Sequence, residues 1–198
     1  MIFNYEDYFI NTKNLISLSG LKKLNILDFG CGKGVWQEKN IEINKINKVI
    51  LYDKEKKLIS ILKKKYKSKR IKINFSLKNI LKTEHYNLVY FSSIIQYLKK
   101  NDFKSLVYKL SKNRKLVIII TDIPFLPRPF EFLALALINY KRFLFGLKII
   151  FSKKYQNLNY YRYSKKDFET FKKKFSVTFH KNLHDLKLLR YTVMLKSN

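Results

Sequence analysis

Short apolar runs alternate with amphipathic stretches along most of the chain. One amphipathic stretch places Leu58, Ile59, Ile61 and Leu62 at helical spacing, directly after an apolar run. Strands that alternate with helices at this spacing predict a doubly wound α/β sheet with right-handed crossovers. The pattern predicts strands over residues 24–28, 48–53, 70–75, 86–91 and 115–122.

The run over residues 115–122 is apolar and β-branched without alternation, which indicates a strand in the buried middle of a parallel sheet. The end of the chain follows another pattern. A helix is predicted from about residue 164 to 174, followed by strands over residues 175–180 and 188–195 that form an antiparallel hairpin. The expected fold is therefore Rossmann-like α/β, with a mostly parallel, seven-stranded sheet and a C-terminal antiparallel hairpin.

The length of 198 residues fits one domain, because a chain of this size can bury roughly 70% of its unfolded surface around a single core. Residues 1–23 are predicted to form an N-terminal helical segment. Residues 125–163 are too many for a plain connection between a strand and a helix. They are predicted to form an insertion with its own helix that caps the substrate site.

The chain carries 42 basic and 14 acidic residues, a formal net charge of +28. Six of the basic residues are arginine and the rest lysine, while glycine and proline are scarce, as in a coding sequence that has drifted toward A and T. Such drift should also raise glutamate, which it has not. Attraction to an anionic partner therefore remains open: a membrane surface, an acidic glycan or nucleic acid.

The single cysteine, Cys31, excludes an intrachain disulfide and a multi-cysteine zinc site, and no metal site is expected. Residues 1–7 carry acids where a signal peptide has a basic region, which favours a cytoplasmic location. The apolar stretch 130–151 includes charges that argue against a bilayer span. Its mixture of apolar and basic residues fits either a packed lid or peripheral contact with the anionic inner membrane surface.

Three of the five glycines, Gly30, Gly32 and Gly34, fall within five residues after the first predicted strand. Glycine permits positive φ and lets the backbone approach a ligand closely, and the following helix offers amide donors at its N-terminus. A nucleotide-like ligand is therefore expected. The dinucleotide fingerprint would need glycine at position 35, where Val35 stands, so an NAD site is disfavoured.

The stretch Leu-Asp-Phe-Gly-Cys-Gly-Lys-Gly over residues 27–34 resembles the first motif of class I S-adenosylmethionine-dependent methyltransferases. The resemblance covers roughly residues 20–125 and implies S-adenosyl-L-methionine as cofactor. It implies that Asp28 lies near the methionine amino group, where an ammonium favours a carboxylate. The loop residues implied to line the cofactor are Gly30, Cys31, Gly32 and Gly34.

The same resemblance extends to the ends of the next predicted strands. Asp53 ends the second strand, where an acid reaches the ribose hydroxyls in nucleotide-binding α/β folds. Asn79 and Ile80 stand where the family usually has an Asp and an apolar residue that contact adenine. Ser92 and Gln96 follow the fourth strand, where they either face the sulfonium side of the cofactor or cap a helix.

Methyl transfer is an in-line displacement, so the protein mainly has to align the acceptor and exclude water. An oxygen acceptor benefits from a general base, and Asp122 ends the purest strand at the edge where ligands of such sheets bind. The alternative role for Asp122 is to stabilise the turn before Pro124. His85 is expected at the opposite edge, and His184 is a minor candidate near the hairpin.

The expected function is an S-adenosylmethionine-dependent methyltransferase that acts on a small-molecule or glycan acceptor. Residues 121–124 and 189–191 also resemble small methyltransferases of surface-glycan gene clusters. Two alternatives stay open. The charge favours an RNA methyltransferase, although base and phosphate readers usually depend on arginine. A non-catalytic scaffold that binds the cofactor would keep the loop but need no acceptor site.

Overall fold

The computed structural model describes residues 14, 16–34, 45–112, 114–124, 144, 160–181 and 190–198. They include one seven-stranded sheet with helices on both faces. Its strands are β1 (Leu24–Phe29), β2 (Ile46–Tyr52), β3 (Ile71–Asn74), β4 (Leu88–Ser92), β5 (Val117–Pro124), β6 (Phe175–Lys181) and β7 (Arg190–Ser197).

The strand order across the sheet is β3-β2-β1-β4-β5-β7-β6. The first five strands in this order run parallel, and β7 lies antiparallel between β5 and β6. The predicted mostly parallel α/β sheet with a C-terminal antiparallel hairpin is confirmed. The carboxyl ends of the five parallel strands meet at one edge, where open α/β sheets bind their ligands.

The described residues include four α-helices between the strands: α1 (Lys56–Lys65), α2 (Leu77–Thr83), α3 (Lys100–Leu110) and α4 (Lys165–Glu169). A short 3-10 helix, Ile95–Tyr97, follows β4. Helix α2 was not predicted; the Ser76 hydroxyl caps it by accepting from the Asn79 amide. The helix predicted over 164–174 is shorter than expected, because turns replace it after Glu169.

The core consists of two clusters, one on each face of the sheet. Alternate residues of a strand point to opposite faces, so Leu27 and Phe29 pack with α2, α3 and α4, whereas Leu24 and Ile26 pack with α1. Strands β1, β4 and β5 lie inside the sheet and are almost fully enclosed by these layers. Polar groups of these strands are therefore concentrated at their carboxyl ends.

Most of two predicted segments lies outside the described residues. These are the N-terminal segment 1–23, of which Asn14 and residues 16–23 are described, and the insertion 125–163, of which Leu144 and residues 160–163 are described. The expectations of an insertion helix, a cap over the substrate site and a membrane-facing lid fall largely on this stretch. Within the described part of the chain, no helix combines the length and apolar character needed to cross a membrane.

One carboxylate is buried at the opposite, amino-terminal edge of the sheet. The Glu84 side chain is 1% exposed and forms ion pairs with Lys48 of β2, at 2.8 Å, and with Lys72 of β3. Burial alone would raise the pKa of this carboxyl, but the hydrogen bonds and charges of both lysines outweigh it, so the pKa of Glu84 lies below its ordinary value. Glu84 thereby joins the end of α2 to two neighbouring strands.

Replacing this carboxylate should weaken the fold in a pH-dependent way. We expect Glu84→Gln to lower the free energy of unfolding by about 2 kcal/mol at pH 7, because two lysines lose a charged partner. A group with a lowered folded pKa stabilises fully above its unfolded pKa, about 4.3, and loses this contribution as pH falls through the folded pKa. Urea unfolding at pH 7 and at stepwise lower pH measures the difference.

The control is Glu169→Gln, which removes an exposed ion pair with Lys172. Its cost should stay below about 0.5 kcal/mol, because solvent screens exposed pairs. If the difference between Glu84→Gln and the parent protein did not shrink below about pH 4, the carboxylate would not be the stabilising group.

Candidate functional site

The loop that follows β1 is shaped by its glycines. Gly30, Gly32 and Gly34 have φ of 75°, 55° and 71°, in the left-handed region that residues with a Cβ rarely adopt. The amides of Gly30 and Cys31 both donate to the Tyr52 carbonyl at the end of β2, at 2.7 and 3.0 Å. The loop is thus anchored to the neighbouring strand and turns back over the sheet edge.

Two of these glycines have different surroundings. A Cβ added to Gly30 would lie 1.8 Å from Cδ1 of Ile94, which follows β4. A Cβ added to Gly32 would meet nothing within 4 Å. Gly30 therefore permits close packing of the loop against the segment after β4. The space beside Gly32, by contrast, is open and can receive a ligand against the backbone.

Two carboxylates flank the loop. Asp28 is the penultimate residue of β1 and is 3% exposed. Asp53 follows β2, and its oxygens accept hydrogen bonds from the amides of Gly32, at 3.0 Å, and Glu55, at 2.9 Å. A carboxylate has about four acceptor positions, so Asp53 can accept these two bonds and further hydroxyl donors together. The two predicted acids thus lie on either side of the glycine loop.

Burial and these two acids together set the pKa values of the groups beside the loop. Burial, reinforced by the charges of Asp28 and Asp53, raises the pKa of the Cys31 thiol far above its ordinary value. Burial and Asp53 likewise raise the pKa of Tyr52. The thiol therefore stays neutral and is unsuited to act as a nucleophile. A cation is the ligand group that this negatively charged pocket would favour.

The predicted pair after β3 lies in the first half of α2. Asn79 is exposed there, whereas Ile80 is fully buried in the core. The apolar side chain of Ile80 packs within the core cluster on that face of the sheet, so Asn79 is the member of the pair that remains a candidate. The periodicity of the helix explains this, because the apolar residue of the pair turns toward the sheet.

Phe75 is a further site candidate that sequence reasoning missed. It directly follows β3, and its ring is exposed at 52%. Its predecessor Asn74 pairs with Tyr52, the residue before Asp53, so Phe75 and Asp53 leave the sheet side by side. A detectable signal was present: an aromatic residue at the end of a strand, adjacent to a strand that ends in an acid.

The segment after β4 packs against the loop. Ser92 ends the strand and is partly exposed, and Ser93 has a φ of 53°, unusual for a residue other than glycine. The Gln96 side chain is buried, and its Nε2 donates to the Ser93 carbonyl at 2.7 Å. Of the two roles considered for Gln96, capping of a longer helix does not apply, because it lies within the short 3-10 turn.

Asp122 lies at the end of β5 in a second left-handed conformation, with a φ of 64°. The pairing of β5 with β7 is irregular between Ile120 and Ile123, so Asp122 occupies a bulge. Its Oδ2 accepts from the Ser93 hydroxyl and from Nη1 of Arg190, the latter at 2.7 Å. The predicted base is therefore part of an ion-paired cluster contributed by β5, β7 and the residue that follows β4.

The two histidines that the structure describes lie at different edges of the sheet, and His180 is the one near the carboxyl end of its strand. His85 is exposed in the connection before β4, at the opposite edge of the sheet, as expected. His180 lies in β6 beside Thr178, and His184 falls outside the described residues. In the described ranges, no group of three His, Cys, Asp or Glu side chains is arranged to hold a metal ion.

No protein-family model and no curated protein sequence matches the chain. Solved structures do match. Magnesium protoporphyrin IX methyltransferase from Synechocystis with bound S-adenosylhomocysteine superposes with a TM-score of 0.63 at 13% identity, covering 98% of this chain and 84% of that one. The methyltransferase domain of bacterial Hen1 gives 0.63 at 13% identity, covering 97% and 98%.

A S-adenosylmethionine-dependent methyltransferase from Anabaena variabilis gives a TM-score of 0.60 at 14% identity, covering 88% of this chain and 77% of that one. At these identities the similarity is one of fold. The chain therefore has the Rossmann-like fold of class I methyltransferases, and the shared sheet includes the reversed strand β7.

The different surroundings of the glycines lead to a test of the loop. We expect Gly30→Ala to lower the free energy of unfolding more than Gly32→Ala, because both force a Cβ into a left-handed backbone but only the first collides with Ile94. The strain common to both is about 1 kcal/mol. Chemical denaturation of each variant measures the two costs.

Adding Ile94→Ala separates the collision from the strain. The double variant Gly30→Ala/Ile94→Ala should be more stable than the sum of the single changes predicts, because the atom that collides has been removed. Strict additivity would show that Ile94 does not set the requirement for glycine at position 30.

Backbone strain at Ser93 allows a second comparison. Ser93→Gly and Ser93→Ala both remove the hydroxyl that binds Asp122, and only Ala keeps a Cβ at a φ of 53°. We expect the Gly variant to be more stable than the Ala variant by about 1 kcal/mol, measured by urea unfolding. Equal stabilities would mean that the segment relaxes to an ordinary conformation in both variants.

Proposed function

We propose that this protein is a S-adenosylmethionine-dependent methyltransferase that acts on a small-molecule or glycan acceptor. The observation that carries the proposal is the glycine loop between two carboxylates, Asp28 and Asp53, at the carboxyl edge of the sheet. S-adenosylmethionine has an ammonium, two ribose hydroxyls and a sulfonium. These groups suit a site with two acids and an open backbone position at Gly32. The similarity of the fold to solved methyltransferase structures supports the proposal.

Different residues of the chain would bind different parts of the cofactor. Asp28 would bind the ammonium, and Asp53, already oriented by the Gly32 and Glu55 amides, would accept from the ribose hydroxyls. Phe75 offers a flat apolar surface for adenine, with Asn79 available for its amino group. The cofactor supplies an electrophilic methyl group. Ser92 at the end of β4 would line the same cleft, together with the open face of Gly32.

The acceptor would be held at the ends of β4 and β5. Arg190 and Ser93 fix the position of the Asp122 carboxylate there. Asp122 is the candidate to orient an acceptor hydroxyl and to take its proton. An acceptor nitrogen would need alignment alone. The insertion 125–163 would close over this side and exclude water, and a basic lid of that kind would also suit an acidic glycan or one carried at a membrane surface.

A second candidate function, RNA methylation, is favoured by one observation. Between Lys56 and Thr83 the chain has eleven basic residues and no acid, and all eleven are exposed. These residues lie in α1, β3, α2 and the loop between α1 and β3, at the β3 end of the sheet, next to Asp53. Such a surface can attract phosphates, but it contains one arginine, so it lacks the bidentate groups that read bases.

Calorimetric titration tests the proposal. We expect S-adenosylmethionine to bind with micromolar affinity and NAD to show no binding. The variant Asp53→Ala should bind S-adenosylmethionine at least about tenfold more weakly, because two ribose hydroxyls lose a charged acceptor. Asp102→Ala is the matched control, since this exposed acid lies in the first turn of α3. Its affinity should equal that of the parent protein.

Absence of binding by both ligands would contradict the enzyme assignment. Binding of S-adenosylmethionine that survives Asp53→Ala would contradict the role of Asp53 only. The two candidate acceptors are distinguished by the salt dependence of RNA binding: affinity that falls steeply with salt and disappears when lysines 63–65 are replaced by glutamine would favour RNA.

A further inference from the structure

The side chain of Gln96 is buried between the segment after β4 and the chain that returns at residue 160. It is 3% exposed. Its backbone carbonyl accepts from the Tyr161 amide at 2.7 Å, and its Nε2 donates to the Ser93 carbonyl at 2.7 Å. The residue is therefore fixed at both ends, and its amide group cannot rotate without losing a hydrogen bond.

The bond to Ser93 also decides which way the amide faces. A carbonyl accepts and does not donate, so the amide nitrogen of Gln96 must be the atom beside Ser93. Oε1 therefore points away from Ser93. This oxygen is buried and has no hydrogen-bond partner among the residues that the structure describes. A buried acceptor without a donor costs about 1–3 kcal/mol, and such a cost in a native fold calls for an explanation.

One other buried side-chain nitrogen or oxygen in the described part of the chain lacks a partner, and it has a simpler explanation. Nη1 of Arg114 belongs to a guanidinium that lies over the Tyr86 ring at 4.3 Å and donates through Nη2 to the Leu81 carbonyl. The aromatic ring compensates the cation there. No ring contact of this kind is available to the neutral carbonyl oxygen of Gln96.

The position of Gln96 relates it to the glycine loop and to the acceptor side. Ile94, two residues earlier, packs directly against Gly30. Ser93 binds Gln96 through its carbonyl and Asp122 through its hydroxyl. The segment from Ser93 to Gln96 therefore links the loop proposed for the cofactor to the cluster of Ser93, Asp122 and Arg190 proposed for the acceptor. A methyl group would pass from one to the other beside this segment.

We infer that Oε1 of Gln96 accepts a hydrogen bond from a protic group at the position of methyl transfer, the O–H or N–H of the methyl acceptor. This inference rests on the proposed function and narrows the acceptor to a hydroxyl or amine. An amide oxygen is too weak a base to hold a transferred proton. Gln96 would therefore orient the acceptor atom and not deprotonate it.

Sinefungin provides a probe that needs no knowledge of the acceptor, because an amine-bearing carbon replaces its methyl sulfonium. Its protonated amine places N–H donors where the acceptor atom would lie. S-adenosylhomocysteine shares the rest of the molecule and lacks these donors. The ratio of the two affinities within one protein variant therefore isolates the interaction made at the site of transfer.

We expect Gln96→Met, which keeps the length of the side chain and removes the acceptor, to reduce the preference for sinefungin over S-adenosylhomocysteine about tenfold, with the affinity for S-adenosylhomocysteine nearly unchanged. Gln96→Asn, which retracts the amide by one methylene, should reduce the preference as well. Arg114→Met is the control at the opposite edge and should leave the ratio unchanged. Calorimetric titration gives both affinities for each variant.

The outcomes separate this inference from the proposed function. An unchanged ratio of the two affinities in both Gln96 variants would overturn the inference. An equal loss of affinity for sinefungin and S-adenosylhomocysteine would do the same, and either result would leave Gln96 with a structural role. Failure of the parent protein to bind S-adenosylhomocysteine would remove the proposed function, and the inference with it. A reduced ratio with retained S-adenosylhomocysteine binding supports both.

Discussion

Enclosure of the central strands on both faces is the constraint on which the rest of the molecule depends. β1, β4 and β5 consist almost entirely of buried apolar residues, with helices on either side. Polar side chains can leave such strands at little cost only where the strands end. Asp28, Asp53, Ser92 and Asp122 all stand at carboxyl ends, so the chemistry of the molecule is concentrated at one edge.

Most residues with a left-handed backbone conformation lie at that edge. Within the described chain, positive φ falls on glycines at Gly20 and in the loop after β1, and on Ser93 and Asp122 elsewhere. The latter two hold each other through a hydrogen bond, and Arg190 completes the arrangement from β7. Conformations that cost energy persist when surrounding contacts determine them, and they tend to occur at functional sites. Ser93 belongs to this strained pair and also accepts the hydrogen bond from Nε2 that fixes the Gln96 amide.

Charge follows a different rule from strain. The two buried acids lie at opposite edges of the sheet. Glu84 pairs with two lysines at the amino edge, and Asp28 lies beside the glycine loop at the carboxyl edge. The lysines, by contrast, are mostly solvated on helix faces, and their excess between Lys56 and Thr83 is one-sided. Lysine-rich surfaces act on partners through long-range attraction, whereas the cleft recognises its ligand through a few directed groups. The two features need not serve the same partner.

The sequence by itself determined the strands, the glycine loop and the two acids beside it, because apolar runs and left-handed turns depend on neighbouring residues only. It also indicated that the first five strands run parallel, because helical stretches separate them. Burial of Ile80, exposure of Phe75 and the short α4 could not be read from it, since they depend on which helix packs on which face. The cluster of Ser93, Asp122 and Arg190 is the clearest case. Its members are separated by up to 97 positions and meet only because β7 enters the sheet beside β5, in a register that a bulge decides.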